Sequence, residues 1–252
     1  MRTVVIPDLH IPYNDKRATE ALLRFVKDTN PARIVLLGDV VQCGAVSKFP
    51  DYSSKPMSFK DELDQGKEFL NDLTFHWPNS IKYKIDYLLG NHEERVQKYL
   101  VRNAGSLVGL EEVSIESLLK TKELGYAVYP PGTKIALGAY KDNWIAEHGD
   151  RTSSYSAYTA RRMLEARGVS GISGHSHRLA AYYYSNYART DRWIEAGHLC
   201  DISSHAFNYD TTKNWQQGFV ILDNNELGKV EYKIVEIHKG KFVVDGVRYT
   251  SE

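Results

Sequence analysis

The side chains with chemistry to offer fall in five short clusters: Asp8 with His10, Asp39, Asn91 with His92, His148, and His175 with His177. Carboxylates, an amide oxygen and imidazoles, without thiolate, form a donor set suited to manganese, iron or zinc. An imidazole such as His92 can also pass a proton near neutral pH. Asp8 and His10 share an i, i+2 spacing with His175 and His177, which puts both members of each pair on one side of an extended chain. Taken singly, each cluster reads as a polar loop after a core strand. Taken together, Asp8, His10, Asp39, Asn91, His148, His175 and His177 are too many for one open catalytic ion. Two divalent ions sharing one carboxylate would use them all.

The elements that must position these groups are legible from period and punctuation. Thr3 to Pro7 and Arg33 to Leu37 read as apolar strands ending at Asp8 and at Gly38-Asp39. A third alternates through Ile85, Tyr87 and Leu89, then stops at Gly90. Helix spacing appears over 16–28, 58–75, 93–103, 113–124 and 154–167, with Gly125 and Gly168 as C-terminal stops. Strand, helix, strand within about forty residues predicts a right-handed crossover and a parallel sheet. Strands over 143–147 and 169–173 then deliver His148 and His175. Ligands of an open α/β sheet bind beyond the carboxyl ends of its strands, where each cluster is expected. From about residue 180 the pattern changes to hairpins, near 182–184, 193–196, 219–222 and 231–237, with turns at Asn224-Asn225 and Lys239-Gly240-Lys241. Residues 44–57 read as a loop carrying Pro50 and Pro56. No repeat or linker composition divides the chain, so residues 1–252 are expected to form a single α/β domain with a β-rich C-terminal part.

Composition sets the outer limits. Of 252 residues, 42% are hydrophobic and 25% charged, as in soluble globular proteins, and the formal net charge is zero. No global field therefore draws the chain to nucleic acid or membrane. The two cysteines, Cys43 and Cys200, fit no metal or redox spacing and read as free thiols of a reducing compartment. The chain reads as a strand from the outset, so no signal peptide is expected, and no apolar run nears the ~18 residues of a membrane span. The expectation is a cytoplasmic protein without a membrane partner.

The ordered series Asp8-x-His10, Gly38-Asp39, Gly90-Asn91-His92-Glu93, His148 and Gly174-His175-x-His177 resembles the calcineurin-like metallophosphoesterase superfamily. That resemblance implies a four-layer α/β/β/α sandwich with the site at the strand ends. It implies one ion on Asp8, His10 and His177, another on Asn91, His148 and His175, and Asp39 bridging the two. Manganese is the first expectation, with zinc, iron or nickel as alternatives. Hydroxide made from a water activated by both ions would attack a phosphate ester, and His92 matches the histidine that faces the leaving group. The Cys200-Asp201 and Asn214-Trp215-Gln216-Gln217-Gly218-Phe219 stretches resemble those of small phage-borne members.

Two departures bear on substrate. The family's protein phosphatases continue Gly-Asp-x-x-Asp-Arg-Gly, whereas this chain reads Gly38-Asp39-Val40-Val41-Gln42-Cys43-Gly44. Gln42 then stands where a carboxylate would orient His92, and Cys43 where an arginine would grip a phosphate dianion. Residues 151–192 also hold seven arginines, no lysine and six tyrosines, opposed only by Glu165 and Asp191. Arginine for phosphates with aromatics for bases is the composition of single-strand binding. Arg161, Arg162, Arg178 and Tyr182 are the expected substrate contacts. A phosphodiesterase or nuclease acting on a phosphate ester, with single-stranded DNA as the expected substrate, leads this reading. A phosphomonoesterase on nucleotides or other small phosphates is the alternative, and a non-catalytic interaction scaffold a more remote one.

Overall fold

Val4 and Ile6 lie in one apolar cluster and Val5 in another, so the first strand is buried on both faces. That is the condition of a strand inside an α/β protein. A computed structural model describes residues 1–49, 57–137, 143–208, 213–224 and 229–251. Pro50 and Pro56 of the expected loop, and Asn225 of the expected turn, lie outside the described residues. The first half of the chain runs β1 (Arg2–Ile6), α1 (Lys16–Thr29), β2 (Arg33–Leu36), α2 (Phe59–His76), β3 (Ile85–Leu88), α3 (Glu94–Asn103), α4 (Ile115–Leu118) and β4 (Tyr126–Tyr129). The second runs β5 (Ile135–Ala136), β6 (Ile145–Glu147), α5 (Tyr158–Arg167), β7 (Gly171–Ser173), β8 (Leu179–Ser185), β9 (Thr190–Ala196), β10 (Gly218–Asn224), β11 (Val230–Glu236), β12 (Phe242–Val244) and β13 (Val247–Tyr249).

A six-stranded sheet has the order β11-β10-β1-β2-β3-β4. Its four N-terminal strands are parallel, with Val5 opposite Val35 and Leu36 opposite Tyr87, and β10 and β11 add antiparallel at one edge. A five-stranded sheet has the order β5-β6-β7-β9-β8. Val5, Val35, Leu37 and Leu88 meet Trp144, Ala146, Ile172 and Ile194 between the two sheets. On the outer side of the first sheet, Val4, Ile6, Ile34 and Leu36 pack with Leu22, Phe25, Leu70 and Leu73 of α1 and α2. Ala160, Met163 and Leu164 of α5 cover Trp193 on the other sheet.

Local sequence explains most boundaries. Asp15 caps α1 by accepting the amides of Arg17 and Ala18, and Asn30 ends it in the left-handed conformation at φ 41°. Ser58 caps α2 by accepting the Asp61 amide. Two expectations need correction. The helix expected over 113–124 is the single turn α4, because the Thr121 amide closes back on the Glu116 carbonyl and Lys120 adopts φ 54°. The helix expected from 154 begins at Tyr158, after Ala157 at φ 60°. β4 and the β12–β13 hairpin carry too few alternating residues to be read from the chain alone.

Candidate metal centre and active site

Each chemical cluster follows the carboxyl end of a strand: Asp8 and His10 after β1, Asp39 after β2, Asn91 and His92 after β3, His148 after β6, and His175 and His177 after β7. The chain does not stay extended past these ends, as the i, i+2 spacing suggested. His10, Asp39, His175 and His177 sit at φ 53°, 50°, 64° and 59°. Backbone of this kind costs roughly 1–3 kcal/mol per non-glycine residue and persists where the surroundings over-determine it. Here it turns four candidate ligands toward one point. Gly90 and Gly174 allow the approach: a Cβ at either would overlap the Asp39 or the Asp8 carboxylate.

The donor atoms gather in three overlapping groups, Asp8 with His10 and His177, Asp39 with His148 and His175, and His10 with Asp39 and His92, each within 4.8 Å. His10 Nε2 lies 3.0 Å from His177 Nε2, and His148 Nε2 lies 3.0 Å from Asn91 Oδ1. Asp39 Oδ2 is 3.4 Å from His148 Nε2, 3.8 Å from His92 Nε2 and 3.9 Å from His10 Nε2. Other contacts fix which ring nitrogen faces inward. His10 Nδ1 donates to Gln42 Oε1 at 2.7 Å, and His148 Nδ1 donates to the Leu37 carbonyl at 2.7 Å. Both rings thereby turn Nε2 toward Asp39, the nitrogen a metal would take.

Electrostatics shows what the cluster lacks. Burial and the charge of Asp39 push the Asp8 carboxyl well above the usual range. Burial opposes ionisation of Asp39 too, but the charge of His148 and its hydrogen bond work against that, and the carboxyl is held well below the usual range. Burial alone would lower His148; Asp39 and Asp8 instead raise it to about 10. Two buried carboxylates so close demand positive charge, and a proton on His148 supplies part of it. Oxygen and imidazole donors that are buried, converging and short of cation fit divalent metal ions. Asp8, His10 and His177 would hold one ion and Asn91, His148 and His175 another, with Asp39 within reach of both sets.

Three further residues brace the site. Glu93, buried, accepts the amides of Asp39, Val41 and Gly90 and the Tyr87 hydroxyl at 2.8–3.0 Å, joining the loops after β2 and β3. Its position in the Gly90-Asn91-His92-Glu93 run was the available signal. The sequence left open whether Gln42 touches His92; its side chain reaches His10, and His92 Nδ1 donates to the Gln42 backbone carbonyl at 3.0 Å. Arg95, in the first turn of α3, was not singled out from the sequence. Its Nη1 donates to the same carbonyl at 2.8 Å and its Nη2 to His92 Nε2 at 2.9 Å. The His92 ring is therefore neutral, consistent with burial holding its basicity well below the usual range against the pull of Asp39. The cation beside it belongs to Arg95. Cys43 is buried, and its thiol is pushed well up by burial.

A cleft of about 940 Å³ opens over Asp39, Asn91, His92, His175 and His177. Tyr13, His205, Phe207 and Trp215 form an aromatic wall, with the Trp215 ring 4.5 Å from that of His177. Trp215 lies in the stretch that resembles phage members, and the Gln216 amide bonds to the His177 carbonyl. Of the four expected substrate contacts, Arg178 lines the cleft, buried, with Nη1 donating to the Ser176 carbonyl. Arg161 and Arg162 are exposed on α5, Arg161 paired with Glu165 at 2.8 Å. Tyr182 packs on the apolar cluster under α5. Arg167 is bonded to Glu147, Arg189 to Asp191, and Arg192 lies over Trp144. Four of the segment's seven arginines thus have partners away from the cleft.

No helix among the described residues is long and apolar enough to cross a membrane. The chain is 31% identical to the Gene 54 protein of Mycobacterium phage D29 over 259 residues, covering 97% of each chain. It is 30% identical to the Gene 54 protein of Mycobacterium phage L5, again over 97% of each. Among solved structures, Vps29 of Chaetomium thermophilum matches over 100% of both chains with a TM-score of 0.51 at 12% identity, a likeness of fold. Residues 1–179, which hold every candidate ligand, match the family model for calcineurin-like phosphoesterases, and the chain belongs to that family.

Proposed function

We propose that this protein is a phosphodiesterase that uses two divalent metal ions, manganese first, to cleave single-stranded DNA. The observation that carries the proposal is Asp39: a buried, ionised carboxylate within 4.8 Å of donor atoms from two sets that otherwise share no residue. When bound, a pair of divalent cations neutralises phosphate oxygens and acidifies a water for in-line attack. The chain's own groups then divide the remaining tasks. His10 and His148 present Nε2 because Gln42 and Leu37 hold their other nitrogens. Arg95 brings a fixed positive charge to the cleft, where charge builds on the phosphate and leaving oxygens. Two of its five N–H groups already bond Gln42 and His92, which leaves fewer to grip a phosphate. Cys43, where an arginine stands in the family's phosphatases, is buried. A diester monoanion suits this weaker grip better than a monoester dianion.

The test is a panel of metals against esters. Manganese-loaded protein should return two ions per chain by elemental analysis and turn over bis-nitrophenyl phosphate faster than nitrophenyl phosphate. It should cut single-stranded oligonucleotides in preference to duplex. Asp39→Asn should lower the content of both ions. One ion or none in the loaded wild type removes the dinuclear reading. Efficient hydrolysis of nucleoside monophosphates, with diesters untouched under every metal, replaces the diesterase by a phosphomonoesterase.

A further inference from the structure

The metal cleft continues into a second groove of about 500 Å³, running beside α3, and the two share Ser47, Phe49, Asn91 and Arg95. The lining of this groove carries Lys48, Arg95, Lys98 and Arg102, and among the described residues that line it there is no carboxylate. Arg95, Lys98 and Arg102 fall at i, i+3 and i+7, one face of a helix, while Val96 on another face is buried in the core. Lys98 is ion-paired at 2.5 Å with Glu94, one turn back and outside the lining, and Arg102 Nε donates to the Lys98 carbonyl at 3.0 Å. Phe49 is 65% exposed at the junction of the two cavities, with Lys48 Nζ 5.2 Å from its ring centre. A large exposed aromatic at a cleft mouth asks for a partner with a π face.

We propose that this groove is the track of the substrate strand: single-stranded DNA leaves the metal centre at Arg95 and lies along α3. Its phosphates meet Lys98 and Arg102, and a base stacks on Phe49. The inference rests on the diesterase reading and assigns the strand a path on the α3 side, not over Arg161 and Arg162 of α5. The dimensions agree. At ~1.5 Å per residue, Arg95 and Arg102 lie about 10 Å apart along the helix axis, the length of about three nucleotides at the ~3.4 Å rise of a stacked strand. A row of cations beside an aromatic platform is the means by which single strands are held without base-specific contacts. It also supplies locally the positive field that a net charge of zero withholds globally.

The experiment measures binding of a fluorescein-labelled oligothymidylate of twelve nucleotides by anisotropy, with metal-free protein so that nothing is cut. The proposal expects the Lys98→Ala/Arg102→Ala variant to bind at least tenfold more weakly. The slope of log affinity against log salt should become shallower by about 1.4, two phosphate contacts at ~0.7 each. Phe49→Ala should weaken binding roughly five- to 150-fold, the loss of one stacked base. With manganese, the ratio of kcat/KM for the oligonucleotide to that for bis-nitrophenyl phosphate should fall in parallel. Wild-type affinity in all these variants, or a loss confined to Arg161→Ala/Arg162→Ala, overturns the α3 track while leaving the diesterase reading intact. Absence of strand binding by the wild type overturns the track as well. Absence of bis-nitrophenyl phosphate hydrolysis under every metal is the separate failure of the diesterase reading.

Discussion

At the scale of single residues, Gln42 supports two histidines with two different atoms: its side-chain oxygen takes the His10 Nδ1 proton and its backbone oxygen that of His92. Only the first depends on the side chain. Gln42→Ala should therefore free the His10 tautomer and weaken metal affinity by about 10–100-fold, the usual cost of losing a ligand's supporting hydrogen bond. Titration of metal-free protein with manganese, followed by activity, reads this directly; an unchanged affinity would show that His10 needs no such support. Arg95 and His92 form a second unit, since the ring nitrogen that faces Asp39 is the one Arg95 donates to. Arg95→Ala should reduce kcat on bis-nitrophenyl phosphate by roughly 10²–10³-fold, as for a single lost charge-stabilising donor. His92→Ala should remove part of the same effect, and the double variant should be no worse than Arg95→Ala alone. Fully additive losses would mean that the two act independently and would return His92 to a separate proton-transfer role.

At the scale of elements, the problem is to hold five loops from two sheets at one point. Glu93 does this for two of them, placing a buried carboxylate at the start of α3 against three amides of the β2 and β3 loops. Glu93→Gln keeps the shape but turns an N–H toward at least one of those donors. The expected loss is about 1.5–3 kcal/mol, the worth of a hydrogen bond to a charged group. For a chain of this size that corresponds to a Tm lower by roughly 3–12 °C. The manganese content should fall with it, because Asp39 rides on the same loop; a Tm change with full metal occupancy would confine Glu93 to fold stability. The last loop is placed by close packing, since the His175 amide bonds both oxygens of Asp8 at 3.0 Å.

At the scale of the molecule, an apolar interior filled with histidines makes stability depend on pH. Burial lowers His198 to about 3, and burial, against the pull of Asp39, lowers His10 to about 4. The unfolded chain takes up protons on both below their ordinary value near 6.5, and the folded chain does so only at lower pH. Their contribution is thus complete above pH 6.5 and is lost on acidification toward 3. His148 has the opposite sign: raised to about 10, it stabilises fully below pH 6.5 and loses that contribution as pH rises toward 10. Metal-free protein should therefore show its highest Tm near pH 6.5 and fall on both sides. A profile that is flat between pH 4 and 9 would contradict the buried, charge-coupled arrangement. His198→Phe should make the acid limb shallower.

What the sequence determined by itself was the order of strands and helices in the first half and the set of side chains able to bind metal. Strand period, glycine stops and residue type are local properties, and Asp8, His10, Asp39, Asn91, His148, His175 and His177 each follow a strand that local pattern marks. What only the tertiary structure decided was which atoms meet. Arg95 reads as an ordinary cation on a helix until the β3 loop swings it against His92. Whether Gln42 meets His92 is open until the fold turns its side chain to His10 and its backbone carbonyl to His92. Of the seven arginines of 151–192, four meet Glu147, Glu165, Asp191 and Trp144, partners that residue type alone does not name. Contacts between residues tens of positions apart depend on sheet order and on left-handed turns at individual residues, and neither is written in the period of the chain.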